Sequence, residues 1–394
     1  MTKFLITTSF GLEALVKRQL YDMAYKDFKV SDGMISLEGK LSDISKLNIN
    51  LREADRVYLV VDSFKASNFD DLFEKVKNIP WADFLAKDNN FIVNARSHKS
   101  KLFSLRTIQS VSEKAIIESM REKYKINHFE KSGFRVQIEI MLDNDIATIA
   151  IDTSGEGLHK RGYREDTVKA PLRENLAAAL VDLSFYNPDR FLFDGFCGSG
   201  TILIEAARKA RNIAPGIDRD FDYENFIFID KDHHKNAKKE ALSLINYDKK
   251  LNLLGSDISG RAVSLAKNNA INAGVEEDIS FISRDISNVA LKDDYGIIIT
   301  NPPYGKRLSQ SNTDDIYKKI NDKFKNMNTW SCYFITSDEK FDQKFKRKLS
   351  KKRKLYNGGE KVDFYQYYGK KPDNKGGNNW LKEKMEKTEK ELDL

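Results

Sequence analysis

Two hydrophobic periods alternate along this chain, and their order predicts its architecture. In the first 60 residues or so, segments 4–8, 33–38 and 57–61 carry strand patterns, while 11–23 repeats apolar positions at helical spacing. Those elements make a small α+β unit, expected over residues 1–64. A second unit, expected over 65–155, begins with a helical pattern at 69–77 and Trp81, followed by the strand Phe91-Ile92-Val93-Asn94-Ala95. A helix then places Ile108, Val111, Ala115 and Ile116 on one face, with Arg106, Gln109, Glu113 and Lys114 opposite. Strands at 134–142 and 146–151 close this unit, and Gly155-Glu156-Gly157 marks a hinge.

From residue 156 the pattern changes to strands followed by helices. Phe191-Leu192-Phe193-Asp194 leads through Gly195-Phe196-Cys197-Gly198-Ser199-Gly200-Thr201 into the helical Ile202-Leu203-Ile204-Glu205-Ala206-Ala207. That sequence predicts the first βα turn of a doubly wound sheet. Further strands are predicted around 253–256, 279–282 and 296–300, with a helix at 261–270. This α/β domain is expected to run over 156–371. The long stretch 210–251 between its first two strands is expected as an inserted helical piece packing on the cofactor side. Residues 370–379 have the composition of a disordered linker, a charged helix is predicted at 380–392, and 372–394 is expected as a flexible tail.

Ligands of an open α/β sheet collect beyond the carboxyl ends of its strands, so the residues there are the candidates for chemistry. A dinucleotide fingerprint would want glycine where Leu203 stands, and a phosphate-binding P-loop would want lysine where Gly200 stands. Asp194 would repel a pyrophosphate but suits the cationic methionine part of S-adenosylmethionine. Asp257 is placed to grip a ribose diol, with Asp230 as its rival. Asp285 could accept from an adenine amino group, with Ile258 and Ile286 flanking the ring. The loop residues Phe196, Cys197, Gly198, Ser199, Gly200 and Thr201 complete this candidate cofactor set.

The last strand ends in Asn301-Pro302-Pro303-Tyr304. A nucleobase amine is a poor nucleophile because its lone pair is delocalised into the ring. Two acceptors on its N–H groups can draw that pair out of conjugation. The Asn301 amide oxygen is one and the Pro302 carbonyl the other, aimed by the rigid Pro302-Pro303 backbone. Tyr304 offers a face on which a base can stack, worth about 1–3 kcal/mol. No general base of raised pKa is required, since a methylated amine sheds its proton to water. Asn301 belongs to both the catalytic and the cofactor set.

These residues resemble a known family, the bacterial guanine-N2 ribosomal RNA methyltransferases that carry an RNA-binding THUMP domain. The matching motifs are Leu158-His159-Lys160-Arg161-Gly162-Tyr163-Arg164, the stretch 170–180, the 194–201 loop, Gly255-Ser256-Asp257, and Asn301-Pro302-Pro303-Tyr304-Gly305-Lys306-Arg307-Leu308. The resemblance implies a ferredoxin-like unit over 1–64, a THUMP unit over 65–155 and a class I, Rossmann-like methyltransferase domain using S-adenosylmethionine. It also implies 23S rRNA or its precursor as partner and guanine N2 as acceptor. Two positions depart from the pattern: Gly195, where relatives often have proline, and Leu254, where they have an aromatic residue. Other acceptors share the tetrapeptide type, namely adenine N6, cytosine N4, a tRNA guanine or a protein glutamine. An inactive RNA-holding assembly factor is the alternative of another kind.

The charge is consistent with RNA contact. Net charge is +7, and candidates for backbone contact are Arg96, Lys99, Lys101 and Arg106 in the second unit, with Lys160, Arg161, Arg164, Lys306 and Arg307 near the active-site mouth. In 344–354, eight of eleven residues are Lys or Arg, a run that suits either a solvated face or phosphate contact. Hydrophobic residues make up 40% and no apolar run approaches the roughly 18 residues of a membrane span. A cytoplasmic monomer without a metal is expected. The only cysteines, Cys197 and Cys332, lie too far apart in sequence to suggest a zinc site, and the adjacent His233 and His234 are expected as a solvated pair.

Overall fold

A computed structural model describes residues 1–126, 128–164, 172–291, 294–303 and 310–371. The N-terminal part contains β1 (Thr2–Thr8), α1 (Glu13–Asp22), β2 (Phe28–Ser31), β3 (Met34–Gly39), α2 (Asp43–Asn50) and β4 (Ala54–Lys65). It continues with α3 (Phe69–Lys77), β5 (Asn90–His98), α4 (Leu105–Tyr124), β6 (Arg135–Asp143) and β7 (Ile146–Asp152). All seven strands form one sheet in the order β2-β3-β1-β4-β7-β6-β5.

The twelve-residue β4 joins the two expected units, because it pairs with β1 on one side and with β7 on the other. The division expected at 64 and 65 therefore falls inside a strand. In α4, Ile108, Ala115 and Ile116 are buried as the pattern predicts, Val111 is half-buried, and Ser112 and Met120 share the core face. Asn68 starts α3 by accepting from the Asp71 N–H at 2.8 Å, which satisfies a helix-end donor.

The C-terminal part contains α5 (Glu174–Asp182), β8 (Leu192–Asp194), α6 (Thr201–Ala210), α7 (Lys231–Ser243), β9 (Leu253–Asp257), α8 (Gly260–Asn272) and β10 (Ile279–Ser283). Then follow β11 (Ile297–Thr300), α9 (Gln310–Phe324), β12 (Ser331–Thr336), α10 (Phe341–Lys344), β13 (Lys351–Asn357) and β14 (Glu360–Tyr367). Their sheet order is β10-β9-β8-β11-β12-β14-β13, parallel from β10 to β12 with β14 antiparallel. The order reverses between β8 and β11. Asp194 ends one of these strands and Asn301 follows the other, so both stand at the topological switch point.

Two expectations about this architecture are corrected. The stretch 210–251 packs on the N-terminal part rather than on the cofactor side: α7 lies against α2, Phe228 meets Phe84 at 5.3 Å and Phe226 meets Phe134 at 6.4 Å. Its aromatic residues find apolar surface at that seam.

The 155–157 segment is also no free hinge. Arg219 clamps it by donating to the carbonyls of Ser154, Glu156, Gly157 and Lys160 at 2.7–3.2 Å. Gly155, at φ +73°, lies so close to Asp222 that a Cβ would sit 2.1 Å from its carboxylate. The catalytic domain and the N-terminal sheet are therefore held in a fixed relation, helped by Arg52 donating to the Ile213 carbonyl at 2.8 Å.

The basic run 344–354 has structural partners as well. Lys344 pairs with Asp314 and Asp338, and Lys352 pairs with Asp363, each at 2.9 Å. Arg347 donates to the carbonyls of Trp330 and Tyr368 at 3.1 and 3.2 Å. Four of its basic residues, 351–354, fall on the sheet-edge strand β13, where lysines discourage edge-to-edge pairing.

Candidate active site at the sheet switch point

A cavity of about 460 Å³ opens beyond the carboxyl ends of β8, β9, β10 and β11. Asp194, Phe196, Cys197, Gly198, Ser199, Thr201, Asp257, Ile258, Asp285, Ile286 and Asn301 all line it. Gly200 is not among the lining residues. At φ +80° it turns the chain into α6, and a Cβ there would sit 2.9 Å from the Phe281 ring. Its role is close packing.

The three acids have different surroundings. Asp194 is 1% exposed and accepts from Thr300 Oγ1 at 2.6 Å and from the Phe196 N–H at 3.1 Å. Burial pushes its carboxyl up to about 7, and the Asp257 charge pushes the same way. A cation beside it would draw it back to the ionised form. Asp257 accepts from the Gly198 N–H at 3.0 Å and the Ser259 N–H at 2.9 Å. Asp285 accepts from Lys319 at 2.7 Å and the Ser287 N–H at 2.9 Å, and the Lys319 hydrogen bond, the larger cause, holds it below the usual range. Asp194 takes both donors on Oδ1 and keeps Oδ2 for a further one, whereas each oxygen of Asp257 and Asp285 takes one donor among the described residues and keeps a lone pair for another.

These residues fit S-adenosylmethionine. A carboxylate poised to ionise suits a cation, and two further acids at neighbouring strand ends can take ribose hydroxyls and an adenine amine. Ile286 is 3% exposed at the floor, whereas Ile258 is 74% exposed at the lip, an apolar side chain that a bound ring would cover. Cys197 is buried and its thiol is pushed well up by burial and by Asp194 and Asp257, so it is no nucleophile.

Asn301 brings an unpartnered acceptor to the cavity. Its Oδ1 is shielded from solvent and accepts no hydrogen bond among the described residues. A buried amide oxygen without a donor costs about 1–3 kcal/mol, and here it belongs to a residue lining the cavity. Pro302 is buried and Pro303 half-buried beside it. Tyr304, Lys306 and Arg307 lie outside the described residues.

The RNA candidates divide into two groups. Arg96, Lys99, Lys101 and Arg106 are exposed, although Arg96 leans toward Glu139 at 3.5 Å. Lys160 is exposed and paired with Glu156 at 2.6 Å. Arg161 and Arg164 are corrected. Arg161 is 1% exposed, donates to the carbonyls of Leu158 and Arg52, and lies 3.7 Å from Glu205. Arg164 donates to the Leu172 carbonyl at 2.8 Å and to Thr201 Oγ1, with Glu174 at 3.5 Å. Both guanidinium groups are committed to internal acceptors rather than free for RNA phosphates.

A rival falls away and one minor reading changes. Asp230 caps α7 through the Asp232 N–H and takes no part in the cavity. His234 is not merely solvated, since its Nδ1 bonds the Tyr223 hydroxyl at 2.7 Å. Among the described residues no cluster could hold a metal, and no helix is long and apolar enough to cross a membrane.

Sequence pattern did not point to Thr300, Lys319, Leu172 or Asn269. Thr300 orients Asp194, and the one available signal is that it is a polar residue ending an otherwise apolar strand. Asn269 donates to the Ser199 carbonyl at 3.0 Å and braces the glycine loop. Leu172 lies in the 170–180 motif, to which the sequence pattern attaches no site role, and Lys319 reaches the cavity from α9 with no local pattern to mark it.

The chain is similar to known proteins along its length. Residues 161–366 match the family described as "RMKL-like, methyltransferase domain", 3–58 the "RlmL ferredoxin-like domain" and 66–152 the "THUMP domain". A Bacillus subtilis protein named "Putative RNA methyltransferase YpsC" is 43% identical over 92% of this chain and 95% of its own. The Buchnera aphidicola "Ribosomal RNA large subunit methyltransferase K/L" is 33% identical over 79% of this chain, which spans only 46% of that relative's length. The solved structure of "SMU.472, a putative methyltransferase complexed with SAH" is 38% identical, with a TM-score of 0.87 over 94% of this chain and 99% of that one.

Proposed function

We propose, for a chain that belongs to the RMKL-like family of S-adenosylmethionine-dependent RNA methyltransferases, that it methylates the exocyclic N2 of a guanine in 23S rRNA. The observation that carries this reading is the unpartnered Asn301 Oδ1 at the cofactor cavity. An exocyclic amine brings the N–H donor that this oxygen lacks.

When bound, the cofactor supplies an electrophilic methyl group. The chain's own residues do the rest. Asn301 Oδ1 accepts one N–H of the amine and the Pro302 carbonyl the other, so that the nitrogen lone pair turns out of the ring plane toward the methyl group. Tyr304 holds the base flat. Asp194, once ionised, would hold the cationic end of the cofactor and Asp257 its ribose. Positioning of this kind can supply most of a displacement barrier. A guanine in a duplex must first leave its stack, so the substrate is flipped or immature RNA.

The 23S rRNA guanine rests on the K/L relative's name together with the THUMP match, and the same acceptors would serve adenine N6 or a tRNA guanine. Nucleoside mass spectrometry on rRNA and tRNA from cells with and without the protein separates them. Loss of N2-methylguanosine from 23S rRNA is the expected result. Loss of N6-methyladenosine, or a change confined to tRNA, would replace the acceptor.

A further inference from the structure

A second cavity, of about 810 Å³, lies between the N-terminal sheet and the catalytic domain. It adjoins the cofactor cavity through two shared walls. Leu172 lines the cofactor side and Arg173 the other, while Thr201 lines the cofactor side and its hydrogen-bond partner Arg164 the other. At its far end it continues into a groove lined by Arg135 and Gln137 of β6. A path thus runs from the surface of the THUMP unit to the wall of the catalytic site.

Four basic and four acidic residues line the cavity, the adjoining groove adds Arg56 and Arg135, and the pairing among them is incomplete. The Arg173 side chain is half-buried and has no ion-pair or hydrogen-bond partner among the described residues. Arg135 is exposed and likewise has no such partner among them. Arg219 donates only to carbonyl oxygens, so no carboxylate cancels its charge directly. His159 has a shielded Nδ1 with no partner among the described residues. Burial, the larger cause, and the Arg173, Arg161, Lys160 and Arg219 charges nearby lower the His159 pKa to about 4. The cavity also holds acids. Glu156 pairs with Lys160 and Glu174 with Arg164, Asp222 faces the Arg56, Arg135 and Arg219 charges, and Asp220 lies at the rim. Phe134, half-buried, adds an apolar face.

Resting on the RNA-methyltransferase reading, we infer that this interdomain cleft is a binding site for the single-stranded RNA flanking the target nucleotide, with Arg173 and Arg135 on its phosphates and His159 donating or accepting at a flanking nucleotide. A half-buried guanidinium that makes no direct ion pair among the described residues, with the Asp55 carboxylate acting on it through space, is suited to a phosphate, which it can bind with two parallel hydrogen bonds. The fixed seam at Arg219 keeps the two ends of the path in register. Phosphate contacts of this kind position an RNA without reading its sequence.

The test uses the full chain, its cofactor and a fluorescein-labelled single-stranded RNA of about ten nucleotides, with affinity measured by anisotropy over a range of salt. Arg173→Gln and Arg135→Gln should each weaken binding about tenfold and lower the slope of log affinity against log salt by about 0.7. Arg173→Lys should restore the slope, and cofactor affinity by calorimetry should stay at the wild-type value in all three. Arg135 is exposed, so its variant tests the path without disturbing the fold. Wild-type affinity and slope in both glutamine variants would overturn the inference while leaving the methyltransferase reading intact. A wild-type chain that binds the cofactor but none of this RNA would overturn it too. Methyl transfer to intact rRNA, measured separately, decides the parent reading.

Discussion

Replacing Asn301 with alanine should separate catalysis from stability. In the structure Asn301 Oδ1 is shielded and unpartnered among the described residues, so the folded protein carries the cost of a buried acceptor, about 1–3 kcal/mol. Alanine removes that cost together with some packing, so unfolding stability should be unchanged or raised by up to about 1 kcal/mol. Turnover should respond in the opposite way. A positioned hydrogen bond at the reacting group is worth about 2.7–4 kcal/mol, or 10²–10³ in rate. Single-turnover methyl transfer from labelled cofactor measures the rate, denaturant unfolding the stability, and calorimetry the cofactor affinity, which should stay close to wild type. An asparagine that merely holds a turn would give the reverse pattern. A variant within about threefold of the wild-type rate, or one destabilised by more than about 1 kcal/mol, would refute the reasoning.

Other perturbations follow from the same geometry. Because burial raises the folded-state pKa of Asp194 to about 7 from an unfolded value near 4, its contribution to stability is full below pH 4 and is lost as pH rises through 7. Asp194→Asn should therefore melt higher than wild type at pH 8 and equally at pH 4, and cofactor affinity in the wild type should fall as pH drops below 7 while that of the variant stays flat. A Cβ at Gly195 would sit 2.5 Å from Ile286 Cδ1, so Gly195→Ala should lose about 1–3 kcal/mol in chemical unfolding and regain most of it with Ile286→Val. Arg164→Met strands Glu174 in a buried site and should lose about 3 kcal/mol, with much of it recovered by adding Glu174→Met. Had Arg164 faced RNA, its loss would weaken binding and spare the melting temperature.

Strand and helix periods make most of the fold legible in the sequence. The strands at 134–142 and 146–151 and the glycine turn after Asp194 follow from patterns within a few residues. The short β2 and the helix α2 leave no such mark, because four and eight residues hold too few repeats to establish a period. In the site, the strand-end acids could be placed because chain order alone puts them at neighbouring strand ends. Partners contributed from far away could not. Arg161 and Arg164 sit in a basic motif that looks solvent-facing, yet Glu205 and Glu174, which hold them inside, lie 44 and 10 residues further on. The same blindness to long-range packing explains the misplaced 210–251 stretch, whose aromatic residues meet Phe84 and Phe134. Gly195 shows the converse: a departure from the family pattern with no explanation in the sequence has a physical reason in the adjacent Ile286.

The most direct test of the account is tritium transfer from labelled S-adenosylmethionine to 23S rRNA purified from a strain lacking this protein, followed by nucleoside analysis. The account predicts label in N2-methylguanosine with wild-type protein and its loss with Asn301→Ala. Label in a different methylated nucleoside, or no label from rRNA or its precursor particles while the cofactor binds, would contradict it.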